Sequence, residues 1–183
     1  MELAGLFSEL RLSAGGILEE CRKSRYLYLK GSLLEGLNIE INQDKEAVNS
    51  YLMTLGFTAT LASSLDEAER LYSVGGSAFE LKASMGHLRS FLEGLHKEIL
   101  PAAHARFGGA LPGKWGEGLL YLRTNGVLSK AEEAFAGSLY TLISDEGIHP
   151  LVAEREYARL FRNVVIEYAL LLLSKLEKLG LKR

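Results

Sequence analysis

Between residues 164 and 173 every residue except Glu167 is apolar. A helix must carry roughly 20 apolar residues to cross a bilayer, so this run is too short to span one. It also lacks the alternation of a half-buried strand. A helix that is apolar on nearly every side has to be covered, either at the centre of a bundle or in a subunit interface. The pattern continues over residues 153–179, which predicts a final helix roughly 40 Å long at 1.5 Å per residue.

The rest of the chain reads in the same period. Leu3, Phe7, Leu10, Ala14, Ile17, Cys21 and Tyr28 recur at steps of four and three, an amphipathic seam with Gly15 and Gly16 inside it. Each glycine weakens such a helix by about 1 kcal/mol relative to alanine. One stretch alternates, Leu37, Ile39 and Ile41 against Asn38, Glu40 and Asn42, and it is too short to build a sheet. A helix is expected from Asp44 through Val48, Leu52 and Leu55. Ser64 and Glu67 have capping-box spacing and predict a short helix through Leu71 that stops before Gly75-Gly76. The next helix is expected over residues 79–100, with Leu81, Leu88, Leu92, Leu95 and Ile99 as its stripe and Pro101 as its end. Residues 107–113, rich in glycine, read as a loop, and residues 115–123 as a helix stopped by Asn125-Gly126. Ser129 and Glu132 form a second capping-box pattern, opening a helix through Phe135, Leu139 and Leu142. Residues 144–150, with Gly147 and Pro150, interrupt it. The expected fold is all-α, a bundle of about six to seven helices with a long buried C-terminal helix. It is read as a single domain over residues 1–183, with N-terminal helices over 1–78 and a helical core over 79–183.

Composition agrees with a globular domain. The chain has 183 residues, 48% hydrophobic and 24% charged, enough to bury a sizeable core. A formal net charge of -2 demands neither nucleic acid nor an anionic membrane, although a local patch retains that capacity. The lone Cys21 excludes an intramolecular disulfide and a Cys-rich zinc site. Met1-Glu2-Leu3 opens into a helical pattern with an acid where a secretory leader carries bases. A cytoplasmic protein with no membrane segment is therefore expected.

Three polar groups are candidates for function. Arg89, Glu93 and His96 are spaced by four and three, which puts them in one narrow sector of a helix. An arginine that can hold a phosphate beside a titratable imidazole suits phosphodiester cleavage. The alternative is a solvated face on which Glu93 pairs with Arg89 and His96. His149, beside the Gly147 turn, can face a cleft or satisfy backbone groups. Arg155, Arg159 and Arg162 recur at four and three and lead into the apolar face. Arg162 should then be partly buried against an anion or a carboxylate, with Glu93, Glu154 and Glu167 as candidates. The histidines, His87, His96, His104 and His149, form no convincing metal-ligand set, and there is no phosphate loop, dinucleotide fingerprint or nucleophile elbow. No metal and no cofactor are expected.

Over residues 79–179 the chain resembles the HEPN superfamily, in particular its uncharacterised and abortive-infection-associated branches. The resemblance rests on residues 88–93 (Leu-Arg-Ser-Phe-Leu-Glu), residues 126–129 (Gly-Val-Leu-Ser), residues 144–150 (Ser-Asp-Glu-Gly-Ile-His-Pro) and Arg162-Asn163 in the final helix. It implies a helical bundle, commonly a homodimer, in proteins tied to phage defence, toxin–antitoxin pairs and RNA processing. Active branches are metal-independent ribonucleases with an arginine, four to six intervening residues, and a histidine. Arg162-Asn163 begins that motif, but Tyr168 stands where the histidine is expected. Arg89 and His96 satisfy the spacing, with Ser90 as the polar follower, on an earlier helix.

Two functions follow as expectations. The first is an interaction or ligand-sensing module of a defence-type system. It would be homodimeric, with Arg155, Arg159, Asn163 and Glu93 binding and RNA or a protein as possible partner. The second is a ribonuclease in which Arg89 or Arg162 holds the phosphate and His96 or His149 moves the proton.

Overall fold

Six helices follow one another in the computed structural model, which describes residues 43–74, 77–148 and 155–182. They are α1 (residues 43–54), α2 (Ala59–Val74), α3 (Ala78–Phe107), α4 (Trp115–Thr124), α5 (Lys130–Ile148) and α6 (Arg155–Lys178). Every regular element among the described residues is helical, so the protein is an all-α bundle. The seam from Leu3 to Tyr28 with Cys21, the alternation at 37–42, Gly75-Gly76, and His149 with Pro150 and Glu154 lie outside the described residues. None of the described helices is long and apolar enough to cross a membrane.

The helix starts of α3 and α5 follow local chemistry, while that of α2 corrects the sequence reading. Ser64 is inside α2 and does not cap it. The helix begins at Ala59 because Glu98 of α3 reaches across, accepting from the Thr58 backbone N–H at 3.0 Å and from the Thr58 hydroxyl. A carboxylate at a helix N-terminus satisfies otherwise orphaned donors and meets the positive end of the dipole. α3 opens with a capping box of its own: Ser77 Oγ accepts from Glu80 N at 3.2 Å, and Glu80 Oε2 accepts from Ser77 N at 3.1 Å. The box at Ser129 and Glu132 is present as the spacing predicts, with Ser129 N donating to Glu132 at 2.7 Å.

Pro101 does not end α3, which runs on to Phe107. A proline in a helix interior removes one hydrogen bond, here the one Lys97 O would accept. Leu100, Ala102 and Ala103 around it are all buried, and that packing carries the helix past the break. The stop comes at Gly108, whose φ of 70° favours glycine. Residues 144–148, read from sequence as an interruption, are the last turn of α5.

α3 is the helix on which the others assemble: α2, α4, α5 and α6 all pack against it. Leu88, Phe91, Leu92, Leu95 and Ile99 are each at most 1% exposed. Burying side chains of this size stabilises by about 1.5–3 kcal/mol each before chain entropy is counted. The apolar run in α6 is buried through Val165, Ile166, Ala169, Leu172 and Leu173, while Leu171 keeps 39% of its surface exposed. α6 is thus a buried flank of the core, and the central place belongs to α3. α2 packs extensively on α3 within one compact unit, Gln43–Arg183.

Gly94 allows that close α2–α3 approach. A Cβ at this position would lie 2.7 Å from Leu61 Cδ2, and Leu61 is itself buried. Gly94→Val is expected to destabilise the bundle by about 2 kcal/mol through overpacking. Urea unfolding should show a lower midpoint with an unchanged slope.

Candidate functional site

α3, α4 and α5 enclose a cavity of about 310 Å³. Its floor is Glu93, His96 and Leu100 of α3. One wall is Trp115, the first residue of α4, with Tyr140 of α5, and the rim is formed by Lys97, Pro101 and residues 111–114. The spacing of four between His96 and Leu100 places both on one side of the helix, which turns that side toward α4.

The rim loop is pinned by groups that the sequence alone did not single out. His104 Nε2 is 2.9 Å from Gly109 O, and because a carbonyl can only accept, the imidazole donates there. Tyr121 Oη donates to Gly108 O at 2.7 Å. Gly108 and Gly109 both have positive φ, 70° and 88°, which side chains resist. Two adjacent glycines are what lets the chain double back and carry residues 111–114 over the cavity.

Aromatic rings line the interior. Trp115 lies 4.1 Å from the His96 ring and stacks on Tyr140 at 4.4 Å with 18° between planes. Tyr140 Oη donates to Glu93 Oε1 at 2.7 Å, Arg89 Nε donates to the same oxygen at 3.0 Å, and Arg89 Nη2 reaches Tyr140 Oη at 3.3 Å. Burial raises the Glu93 pKa, but the Tyr140 and Arg89 hydrogen bonds together outweigh it and hold the carboxyl below its ordinary value. The Glu93 hydrogen bond in turn holds the Arg89 guanidinium in its charged form. Arg89 and Glu93 keep a third or more of their side chains exposed, so the pair positions Tyr140 more than it stabilises the fold.

His96 is the anomaly of the site. Only 3% of it is exposed, and burial alone pushes its pKa down to about 3, so the imidazole is neutral at ordinary pH. Nε2 lies 2.9 Å from Tyr168 Oη on α6, and Nδ1 is buried without a hydrogen-bond partner. If the Tyr168 hydroxyl donates to Nε2, only Nδ1–H is left unpaired. The opposite tautomer strands both the hydroxyl proton and the Nδ1 lone pair, so the first arrangement is preferred. Trp115 Nε1–H is likewise buried without a partner. Two residues that line the cavity, one on its floor and one on its wall, therefore each carry a buried, unpaired N–H. Native proteins rarely leave such groups unsatisfied.

The residues expected to act are distributed as follows. Arg89 and Glu93 are joined to each other, and Glu93 pairs with Arg89 but not with His96. Arg162 does not line the cavity. It is 4% exposed, and Nε donates to Glu69 Oε2 of α2 at 2.6 Å, so its carboxylate is none of the three expected. Of those, Glu93 holds Arg89, Glu154 lies outside the described residues, and the Glu167 pKa is raised by burial and then by Asp44 of α1. Arg155 and Arg162 both lie against the Tyr72 ring, at 5.0 and 5.4 Å from its centroid, while Arg159, between them in sequence, is exposed. Asn163 lines a shallow groove with Phe135, Val164, Glu167, Tyr168 and Leu171. Among the described residues, no group of His, Cys, Asp or Glu is placed to hold a metal ion.

Trp115, Tyr140 and Tyr168 were missed. A sequence signal existed for two of them. Trp115 is the chain's single tryptophan and directly follows a glycine-rich loop, and Tyr168 fills the position where the nuclease motif expects a histidine. Comparison with protein-family models, curated proteins and solved structures finds no match, so the arrangement is read from its own geometry.

Proposed function

We propose that this chain is a ligand-sensing helical module whose α3–α4–α5 cavity takes a small molecule. The observation that carries the reading is the pair of unpaired, buried donors, His96 Nδ1–H and Trp115 Nε1–H, on two residues that line one aromatic-walled cavity. Concave, mostly apolar sites with a few polar groups are the usual form of small-molecule pockets. Sensing, as distinct from mere binding, is supported by the next link. Tyr168 touches His96 with its hydroxyl and lines the α5–α6 groove with the rest of its side chain. A ligand that draws on His96 therefore alters the partner of a groove residue.

The homodimer and the defence-type setting belong to the same proposal. They rest on the HEPN resemblance and on apolar side chains left exposed beside the groove, Phe135 at 47% and Leu171 at 39%. The ribonuclease alternative is not adopted. It needs an arginine free to hold phosphate beside an open histidine, whereas Arg89 and Arg162 each hold a carboxylate and His96 is buried and neutral, His149 lying outside the described residues.

Because Trp115 is the only tryptophan, its emission reports on the cavity directly. Titration with a set of small aromatic fragments should give a saturable emission change for at least one of them. Tyr140→Ala, which removes the stacked wall, should weaken that fragment at least tenfold, about 1.4 kcal/mol, while far-UV circular dichroism stays the same. If no fragment moves the emission, the cavity is not a binding site.

A further inference from the structure

The polar groups around the cavity are unequal in kind, and this deepens the ligand-binding reading on which it rests. Of the described side chains that line it, Glu93 is the only acid, and one of its oxygens already takes hydrogen bonds from both Arg89 and Tyr140. Tyr140 spends its proton on Glu93. What is left to meet a ligand is mostly donors. His96 and Trp115 keep their unpaired N–H groups buried behind their rings, and Lys97 and Lys114 bring two ammonium groups to the rim. Lys114 has only a loose partner, Glu117 at 3.9 Å, with both side chains well exposed. Such a pair is worth little and releases the lysine readily. Arg89 offsets the charge of Glu93, so the two lysines set the sign of the mouth. The walls between these groups are flat or apolar: the Trp115–Tyr140 stack, Leu100, Leu111 and Pro101.

We infer that the ligand is a small organic acid with a flat, apolar body: its carboxylate meets Lys97 and Lys114 at the mouth, and its ring lies along the Trp115–Tyr140 wall. A cationic ligand would face two ammonium groups, and a neutral hydrocarbon would make no use of them. A highly charged, sugar-like ligand would have to lie on aromatic and proline surface. An acid with one aromatic ring suits both the charge and the size, since pockets of roughly 300 Å³ mark the lower end of small-molecule sites. Ammonium and carboxylate form charge-assisted hydrogen bonds, stronger than neutral ones, and at an exposed rim they weaken with salt.

The full chain would be titrated with phenylacetate, 3-phenylpropionate and the corresponding amides, following Trp115 emission and, independently, heat by calorimetry. The acids are expected to bind at least tenfold more tightly than their amides at low salt, and the gap should narrow as salt is added. In Lys97→Gln/Lys114→Gln the difference between acids and amides should disappear. Equal binding of acid and amide by the unmodified protein would overturn the inference while leaving the cavity a binding site. An acid preference that survives the double substitution would overturn the assignment of the lysines. Absence of binding by acids and amides alike, together with silence from the wider fragment set, would remove the ligand-binding reading along with it.

Discussion

Acidification from near pH 7 to about pH 4.5 is expected to cost this protein about 2 kcal/mol of stability through His96 alone. In the fold the imidazole is pushed by burial from its ordinary 6.5 down to about 3. In the unfolded chain it titrates near the ordinary value. The unfolded state therefore takes up a proton over this interval and the folded state does not. The stability contributed by a neutral His96 is complete above about pH 6.5 and is lost progressively as the pH falls toward 3. Carboxylates act lower down. Glu132, held down chiefly by its Lys175 hydrogen bond, and Glu93 both have lowered values, so their contributions fade only below the ordinary 4.5. Urea unfolding at a series of pH values should thus show an early decline above pH 4.5 and a steeper one below it. His96→Gln cannot titrate, and should remove the early decline while keeping the later one. An unchanged pH profile in that variant would mean that His96 exchanges protons freely in the fold, which its burial against Trp115 and Tyr168 does not permit.

The same histidine shows what sequence could and could not reveal. Helical period, caps and glycine stops were readable because they are local. The box at Ser129 and Glu132, the loop before Trp115 and the start of α4 all follow from residues within a few positions of one another. Errors arose where a distant group decided. Ser64 has the spacing of a cap, but Glu98, forty residues on from Thr58, starts the helix earlier. Pro101 reads as a stop, but buried neighbours on both sides override it. Position by position, Arg89, Glu93 and His96 do share a sector of α3, yet the sector straddles a boundary. Arg89 and Glu93 remain at the surface, and His96 turns inward to an α6 tyrosine 72 residues on. No periodicity in one helix could say that a tryptophan from the next helix would cover that histidine. The arginine stripe failed for the same reason. The burial of Arg162 was inferred correctly from the apolar face it joins, but the carboxylate it meets belongs to α2, which the spacing along α6 cannot see.

That carboxylate makes the final prediction specific. Glu69→Leu is expected to destabilise the fold by about 3 kcal/mol, because it leaves the Arg162 guanidinium, 4% exposed, without the acid at 2.6 Å. Tyr72 under the guanidinium and Asn163 Oδ1 at 3.5 Å remain, which keeps the loss from reaching the upper end of what unpaired buried charges cost. Arg162→Met should cost less, about 1–2 kcal/mol, since Glu69 keeps 16% of its side chain exposed and can be hydrated. Glu69→Leu/Arg162→Met should recover most of the larger loss, ending within about 1 kcal/mol of the unmodified protein, because two apolar side chains of similar volume replace two charges that had to be desolvated. Chemical denaturation of the four proteins supplies the cycle. A double variant at least as unstable as Glu69→Leu would show that Arg162 holds α6 through something other than its charge. The anchor would then be the packing of its stem on Tyr72, and Tyr72→Leu would become the more damaging change.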